Sequence, residues 1–237
     1  MLAALVAGRT DAAALAQLAR GKMREKLPQL EQALRGQFGP HQRFLVAQQL
    51  MHIDGLDDII DRVSVEIAAR VQPFEEAIEQ IDTVTGIGRR TAEVLVAEVG
   101  TDLARFPTHR HLASWAGLCP GNNESAGKRH GGKTRKGSPW LRAALVEAAK
   151  AAGRSKKTYL GAQYRRLKAR RRAKRAAVAV AHSILVIVYH ILTKHEPYHD
   201  LGVTYFDERD RQAVERRLVK RLQALGYEVS LQPLTAA

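Results

Sequence analysis

Between Ser125 and Arg175 the chain carries 18 Lys or Arg residues against one acidic residue, Glu147. A segment this cationic cannot be folded into an interior, because each unpaired buried charge costs several kcal/mol. It must lie on the surface, on helices or loops whose opposite faces supply the core. The whole chain carries +14, so this segment holds +17 and the remainder −3. A concentrated basic block in a nearly neutral frame is the electrostatic footprint of a polyanion partner. The plainer readings are a solvated basic face or a patch for a membrane surface. At 237 residues and 45% hydrophobic content, the chain is long and apolar enough for one large domain or two small ones. Aromatic content is 5%, and Ala, Leu, Val and Arg dominate, which favours helix over strand.

Hydrophobic spacing predicts an essentially all-α fold. Residues 1–40 read as a short helical segment and linker, with Thr10 and Asp11 as caps of one helix and a second over 22–36. In 41–72, apolar residues fall at Val46, Leu50, Ile53, Leu56, Ile60, Val63, Ile67 and Val71. That three-and-four spacing is a coiled-coil seam. A narrow stripe on a long helix calls for a partner helix, and a homo-oligomer is expected through this element. Asp54, Asp57, Asp58 and Asp61 read as its solvated face. Residues 73–205 form the main domain, and 206–237 an Arg-rich amphipathic helix with a short terminal strand over 227–231.

Within the main domain, two helices flank the turn Val84-Thr85-Gly86-Ile87-Gly88, and Arg89, Arg90 and Thr91 open the second helix. Glycine permits close backbone approach, and a helix start offers unpaired N–H groups to a phosphate. A short helix over 108–116 is expected, capped by Thr108. The stretch 119–138 is polar and Gly-rich and reads as a loop. Ser138-Pro139 should cap and open the next helix, with Trp140, Leu141, Ala144, Leu145 and Ala148 on its apolar face. A basic helix follows over 156–173, carrying Arg165, Arg166, Arg170, Arg171 and Arg172, with Tyr159 and Tyr164 suited to base stacking. Residues 176–193 are almost continuously apolar. Their length approaches a membrane span, but His182, Ser183, His190 and several alanines favour a buried core helix.

Cys119 is the one cysteine, so no internal disulfide is possible, and a reducing cytoplasmic setting fits. It lies in an apolar run and reads as a small core residue. No signal peptide is read at the N-terminus. No Cys or carboxylate is placed to complete a metal cage with His109, His111, His182 or His190, so they read as satisfied histidines and no metal site is assigned.

The loop over 120–137 places Ser125 among Lys128, Arg129, Lys133, Arg135 and Lys136. A serine hydroxyl is a weak nucleophile unless it is deprotonated and the phosphorane charge is stabilised, and cations supply the second need. Composition alone does not separate a nucleophile from a phosphate-binding loop.

The order of motifs is more specific. The run Ser114-Trp115-Ala116-Gly117-Leu118-Cys119-Pro120 is followed by Ser125-Ala126-Gly127-Lys128, Thr134-Arg135-Lys136-Gly137 and Trp140-Leu141-Arg142. It resembles the C-terminal domain of the insertion-sequence 110/116/902 family of transposases. The Gly86–Gly88 turn, within 81–98, resembles the helix-hairpin-helix that this family carries upstream, with a coiled coil before it. The resemblance implies a DNA recombinase guided by a structured bridge RNA, oligomeric, cytoplasmic and nucleoid-associated, with Ser125 as the nucleophile that joins DNA through a phosphoserine. It also implies a partner RuvC-like domain whose four acidic residues hold Mg²⁺. No such acidic quartet is read in this sequence, so a chain dependent on an acidic domain elsewhere is expected. The alternatives are a non-catalytic DNA- or RNA-binding remnant and a helix-hairpin-helix accessory protein.

Overall fold

The computed structural model describes residues 1–36, 38–121 and 123–232, without the side chains of Asn123, Glu124, Arg129 and His130. It divides into two compact units, Met1–Gln72 and Pro73–Ala237. Among the described residues the fold is all-α apart from one two-stranded hairpin.

The first unit contains α1 (Leu2–Val6), α2 (Ala12–Gln17), a 3-10 turn (Gly21–Lys26), α3 (Leu27–Leu34) and α4 (Pro40–Val71). Asp11 caps α2 by accepting from the Ala13 and Ala14 amides. Such a cap contributes about 1 kcal/mol. α2 packs on α3 and α1 on α4, burying Leu5, Leu15 and Ala16. Pro40 opens α4, where its missing N–H costs no helical bond. The helix is about 48 Å long at 1.5 Å per residue, and none of its residues is buried. Its seam positions Ile53, Leu56, Ile60 and Val63 all face solvent.

The second unit is built around one helix. It comprises α5 (Glu75–Asp82), α6 (Arg89–Val99), α7 (His109–Trp115), the strands β1 (Asn123–Ser125) and β2 (Lys128–Gly131), α8 (Pro139–Ala152), α9 (Tyr159–Arg171), α10 (Ala173–Lys194), α11 (Tyr205–Arg209) and α12 (Arg211–Ala224). α10 packs against α8, α9, α7 and α5. Ala176, Ala177, Val180, Ala181, Ile184, Leu185, Val188, Ile191 and Leu192 are buried along it. Each large aliphatic side chain so buried is worth about 1.5–3 kcal/mol. This apolar helix is thus long enough to cross a membrane but forms the core of the unit. Alanines on α8 (Ala148, Ala149, Ala152) and α10 let the backbones approach closely.

Three local readings are corrected. The basic helix expected over 156–173 ends at Arg171, because Arg172 adopts φ 67° and divides α9 from α10. The Arg-rich helix expected within 206–237 breaks at Asp210, between α11 and α12. Residues 227–231 form no strand, for no neighbouring strand offers them a ladder.

The turn between α5 and α6 is locked onto α8. Gly86 has φ 93°, and a Cβ there would lie 2.6 Å from the Ala152 amide nitrogen and closer still to the Ala148 carbonyl oxygen. Gly88 has φ −126° and open space around it. Gly86→Ala is therefore expected to destabilise the second unit by about 2–4 kcal/mol. Gly88→Ala should change stability by less than about 1 kcal/mol. Chemical denaturation followed by circular dichroism reads both, and equal effects would contradict the close approach.

Candidate nucleic-acid interface and serine arm

The segment expected as a loop is a stapled arm. β1 and β2 pair antiparallel, with Ser125 directly opposite Lys128. Ala126 (φ 49°) and Gly127 (φ 73°) form the two-residue turn between them. Positive φ at both central positions is the handedness that lets a tight hairpin follow the strand twist. Ser125, Ala126, Gly127 and Lys128 are all exposed. Directly opposed side chains lie on one face with Cβ atoms about 5 Å apart. The Ser125 hydroxyl therefore has an ammonium on its own face of the arm. Among the described residues it makes no hydrogen bond.

The arm is fastened at its base. Pro120 pairs with Thr134, and the Gly121 amide donates to the Lys133 carbonyl at 2.8 Å. Arg142 on α8 donates through Nη1 to the Gly117 carbonyl at 2.9 Å and to Thr134 Oγ1 at 2.6 Å. Gly137 passes so close to Gly117 that a Cβ would lie 2.5 Å from its amide nitrogen. Ser138 donates to Glu98 Oε2 at 2.7 Å and accepts from the Leu141 amide, capping α8 as its sequence suggests. Two apolar residues then anchor the platform, since Leu141 and Leu145 are fully buried. Trp140, expected on the apolar face, instead projects outward and is 73% exposed. It sits in the first turn of α8, beside the fully buried Leu141.

The predicted cations divide into two groups. Lys128, Lys133, Arg135 and Lys136 are exposed on the arm, and the Arg129 side chain lies outside the described residues. Arg170, Arg171 and Arg172 are exposed at the end of α9. Others are occupied within the fold. Arg165 donates to the Ser155 and Lys156 carbonyls at 2.6 and 2.9 Å, tying down the α8–α9 connection. Arg166 lies over the Phe206 ring and 3.4 Å from Asp207. Arg89 bridges Glu75 and Glu93, and Arg90 also reaches Glu93 at 3.1 Å. The Glu75 hydrogen bond holds the Arg89 guanidinium above its ordinary range, and the Glu75 carboxyl is lowered in return. Glu93 is buried and compensated by both arginines. The helix start at Gly88–Arg90 is exposed, while the charges of its two arginines are balanced by Glu75 and Glu93. Tyr159 and Tyr164 are also committed to packing. Tyr159 stacks on Phe206 at 5.1 Å, and Tyr164 lies against Gly153.

His109, His182 and His190 border a cleft of about 720 Å³ beside α10, formed with Tyr159 and residues of the segment 196–201. His109 and His190 have ring centroids 5.5 Å apart. Burial, then the nearby His109, lowers the pKa of both His182 and His190, so neither adds to the positive charge at neutral pH. His111 bonds the Thr108 hydroxyl at 2.9 Å, which draws Thr108 away from capping α7. Cys119 is half-buried and free. Among the described residues no three His, Cys, Asp or Glu side chains are grouped to hold a metal ion. Asp54, Asp57, Asp58 and Asp61 are strung along exposed α4. These carboxylates are not gathered in the way that the Mg²⁺ set implied by the resemblance would need.

Arg142→Met removes both staples while keeping the bulk of the side chain. The Gly117 carbonyl and the Thr134 hydroxyl would lose their donor, at about 1–3 kcal/mol. Trypsin cleavage at Lys128 and Lys133 is expected to accelerate about tenfold, by the same reasoning. Mass spectrometry of the limited digest measures it, and an unchanged cleavage rate would mean that the arm is held by other contacts.

Residues 78–165 match the family described as Transposase IS116/IS110/IS902. They take in the α5–α6 turn, the arm, α8 and the start of α9. A probable family 20 transposase of Pseudomonas aeruginosa is 31% identical over 147 residues, covering 60% of this chain and 43% of that protein. The transposase for insertion sequence element IS1111A of Coxiella burnetii is 32% identical over 146 residues, covering 60% and 40%. A putative transposase of Sinorhizobium fredii is 30% identical over 179 residues, covering 73% and 42%. The matched parts span well under half the length of these relatives. The similarity to the IS116/IS110/IS902 transposase family thus lies in residues 78–165, the segment that carries the α5–α6 turn, the arm and α8.

Proposed function

We propose that this chain acts in DNA transposition, gripping DNA with the arm and the end of α9 and using Ser125 as the nucleophile. The observation that carries this reading is the pairing of Ser125 with Lys128 at the tip of a stapled, exposed arm. The arm places a hydroxyl where a phosphate can be approached from outside the fold. Lys128 can hold a non-bridging oxygen as negative charge builds on phosphorus. Lys133, Arg135 and Lys136 extend the cationic track along the backbone of the same strand or its complement. In the step itself, the Ser125 oxygen bonds to phosphorus, the bond from phosphorus to a deoxyribose oxygen breaks, and that oxygen leaves with a proton. The proton that the Ser125 hydroxyl loses is the one the departing deoxyribose oxygen gains, relayed through water.

The exposed helix start at Gly88–Arg90 suits a sequence-independent phosphate contact, the role of a helix-hairpin-helix. Because Arg89 and Arg90 are balanced by Glu75 and Glu93, this contact rests on N–H groups more than on side-chain charge. The unpartnered seam of α4 fits a second copy of the chain, which would give the oligomer that such reactions use. A structured guide RNA and an acidic, Mg²⁺-holding domain belong to the same reading. Both come from the family resemblance. A non-catalytic DNA-binding role would use the same arm and differ in needing no serine.

The test is a cleavage reaction assembled with DNA, guide RNA, Mg²⁺ and a family protein that supplies the acidic domain. Tryptic mass spectrometry should find a nucleotide bound to Ser125, and Ser125→Ala should abolish it while DNA affinity stays within about twofold. Absence of the adduct with the unaltered chain, or its persistence in Ser125→Ala, would overturn the nucleophile assignment.

A further inference from the structure

Trp140 has the greatest exposure of any large apolar side chain among the described residues, at 73%. Its position is fixed rather than incidental. It lies three residues beyond Gly137, where the arm closes on Gly117, and between Ser138 and Arg142, which tie α8 to Glu98 and to the arm base. The next residue, Leu141, is fully buried, so the first turn of α8 cannot roll to hide the indole. Its sequence neighbours Arg135 and Lys136 are exposed cations, and Glu147 is the first acidic residue after Glu124. A rigidly mounted aromatic plane close in sequence to exposed Arg135 and Lys136, with Glu98 the carboxylate at the Ser138 cap, has the two components of a stacking platform for unpaired nucleic acid. A flat apolar ring alone would suit any apolar partner, but these flanking cations select a polyanion.

We infer that Trp140 is a base-stacking residue: its indole lies on an unstacked nucleobase of the DNA strand that the arm holds, fixing the strand for Ser125. This rests on the DNA-binding reading above and adds to it a preference for DNA with an unpaired base. Phosphate contacts alone are indifferent to pairing, whereas a stacked indole gains a partner only where a base is free to leave the helix. Trp140 is a positioning residue, not one that touches the reacting phosphate. Of the two tryptophans, Trp115 contacts Phe106 and Arg105 and serves the fold. Trp115→Phe therefore yields a single-tryptophan protein that reports on Trp140 alone.

The experiment titrates the Trp115→Phe chain with two fluorescein-labelled hairpin duplexes, one fully paired and one with a single bulged adenine. Anisotropy of the label reads binding, and indole emission reads stacking. The bulged duplex is expected to bind about tenfold more tightly than the paired one and to quench the indole. Trp140→Ala should lose that tenfold preference while keeping the affinity for the paired duplex within about twofold, and Trp140→Phe should retain most of it. Equal affinity for the two duplexes, or unchanged indole emission on a saturating bulged duplex, would overturn the stacking role while leaving DNA binding intact. An indole emission that shifts with protein concentration before DNA is added would show a second copy of the chain covering the ring, and would also overturn it. Failure to bind either duplex would instead sink the DNA-binding reading, and this inference with it.

Discussion

Backbone-to-backbone proximity around α8 holds the second unit together. Gly86 brings the α5–α6 turn against the carbonyl of Ala148, and the alanines of α8 admit α10 on the same helix. α8 thereby joins three things that would otherwise be separate: the turn, the core helix and, through Ser138 and Arg142, the base of the serine arm. Small side chains make this possible because they remove bulk where two backbones must meet, and dense packing then transmits position with little slack. An exposed arm aimed by such a platform is better ordered than a Gly-rich segment of the same composition on its own.

Charge is arranged with the same economy. The basic block does not act as a uniform surface. Arg165 and Arg166 are spent on carbonyls, an aromatic ring and Asp207, and Arg89 and Arg90 face Glu75 and Glu93. The cations of the block that stay exposed lie on the arm, in the α8–α9 connection at Arg154, Lys156 and Lys157, and around the junction of α9 with α10. Exposed pairs of this kind contribute little to stability, and their larger effect is to decide which cations remain for a polyanion. Burial lowers the pKa of His182 and His190, so these two side chains add little to that positive charge.

Periodicity alone located most of the helices, since it reports which face is apolar. The long helix read over 41–71 is α4, and the Ser138-Pro139 cap and the buried 176–193 helix stand where their residues suggest. The family resemblance was legible from motif order across 114–142. Four features were hidden, each for a local reason. The arm's turn uses Ala126-Gly127, which lacks the Asn-Gly or Asp-Gly signature of a tight hairpin, so the strands passed for loop. The left-handed Arg172 divides a helix whose composition gives no warning. Trp140 was counted with an apolar stripe, yet it turns outward from the same helical turn in which Leu141 is fully buried. The commitments of Arg89, Arg165 and Arg166 depend on residues distant in sequence or on backbone carbonyls, which charge counting does not register. The α4 seam was legible as a stripe, but its partner is not a property of one chain.

The salt dependence of duplex binding tests the central claim most directly, comparing the unaltered chain with one in which Lys128, Lys133, Arg135 and Lys136 are all glutamine. On this account log affinity falls linearly with log salt, and the slope of the substituted chain is shallower by about 0.9 for each arm cation that contacts a phosphate, up to about 3.6. An identical slope for the two proteins would mean that the arm does not hold the DNA, and a flat response from both would contradict polyanion binding altogether.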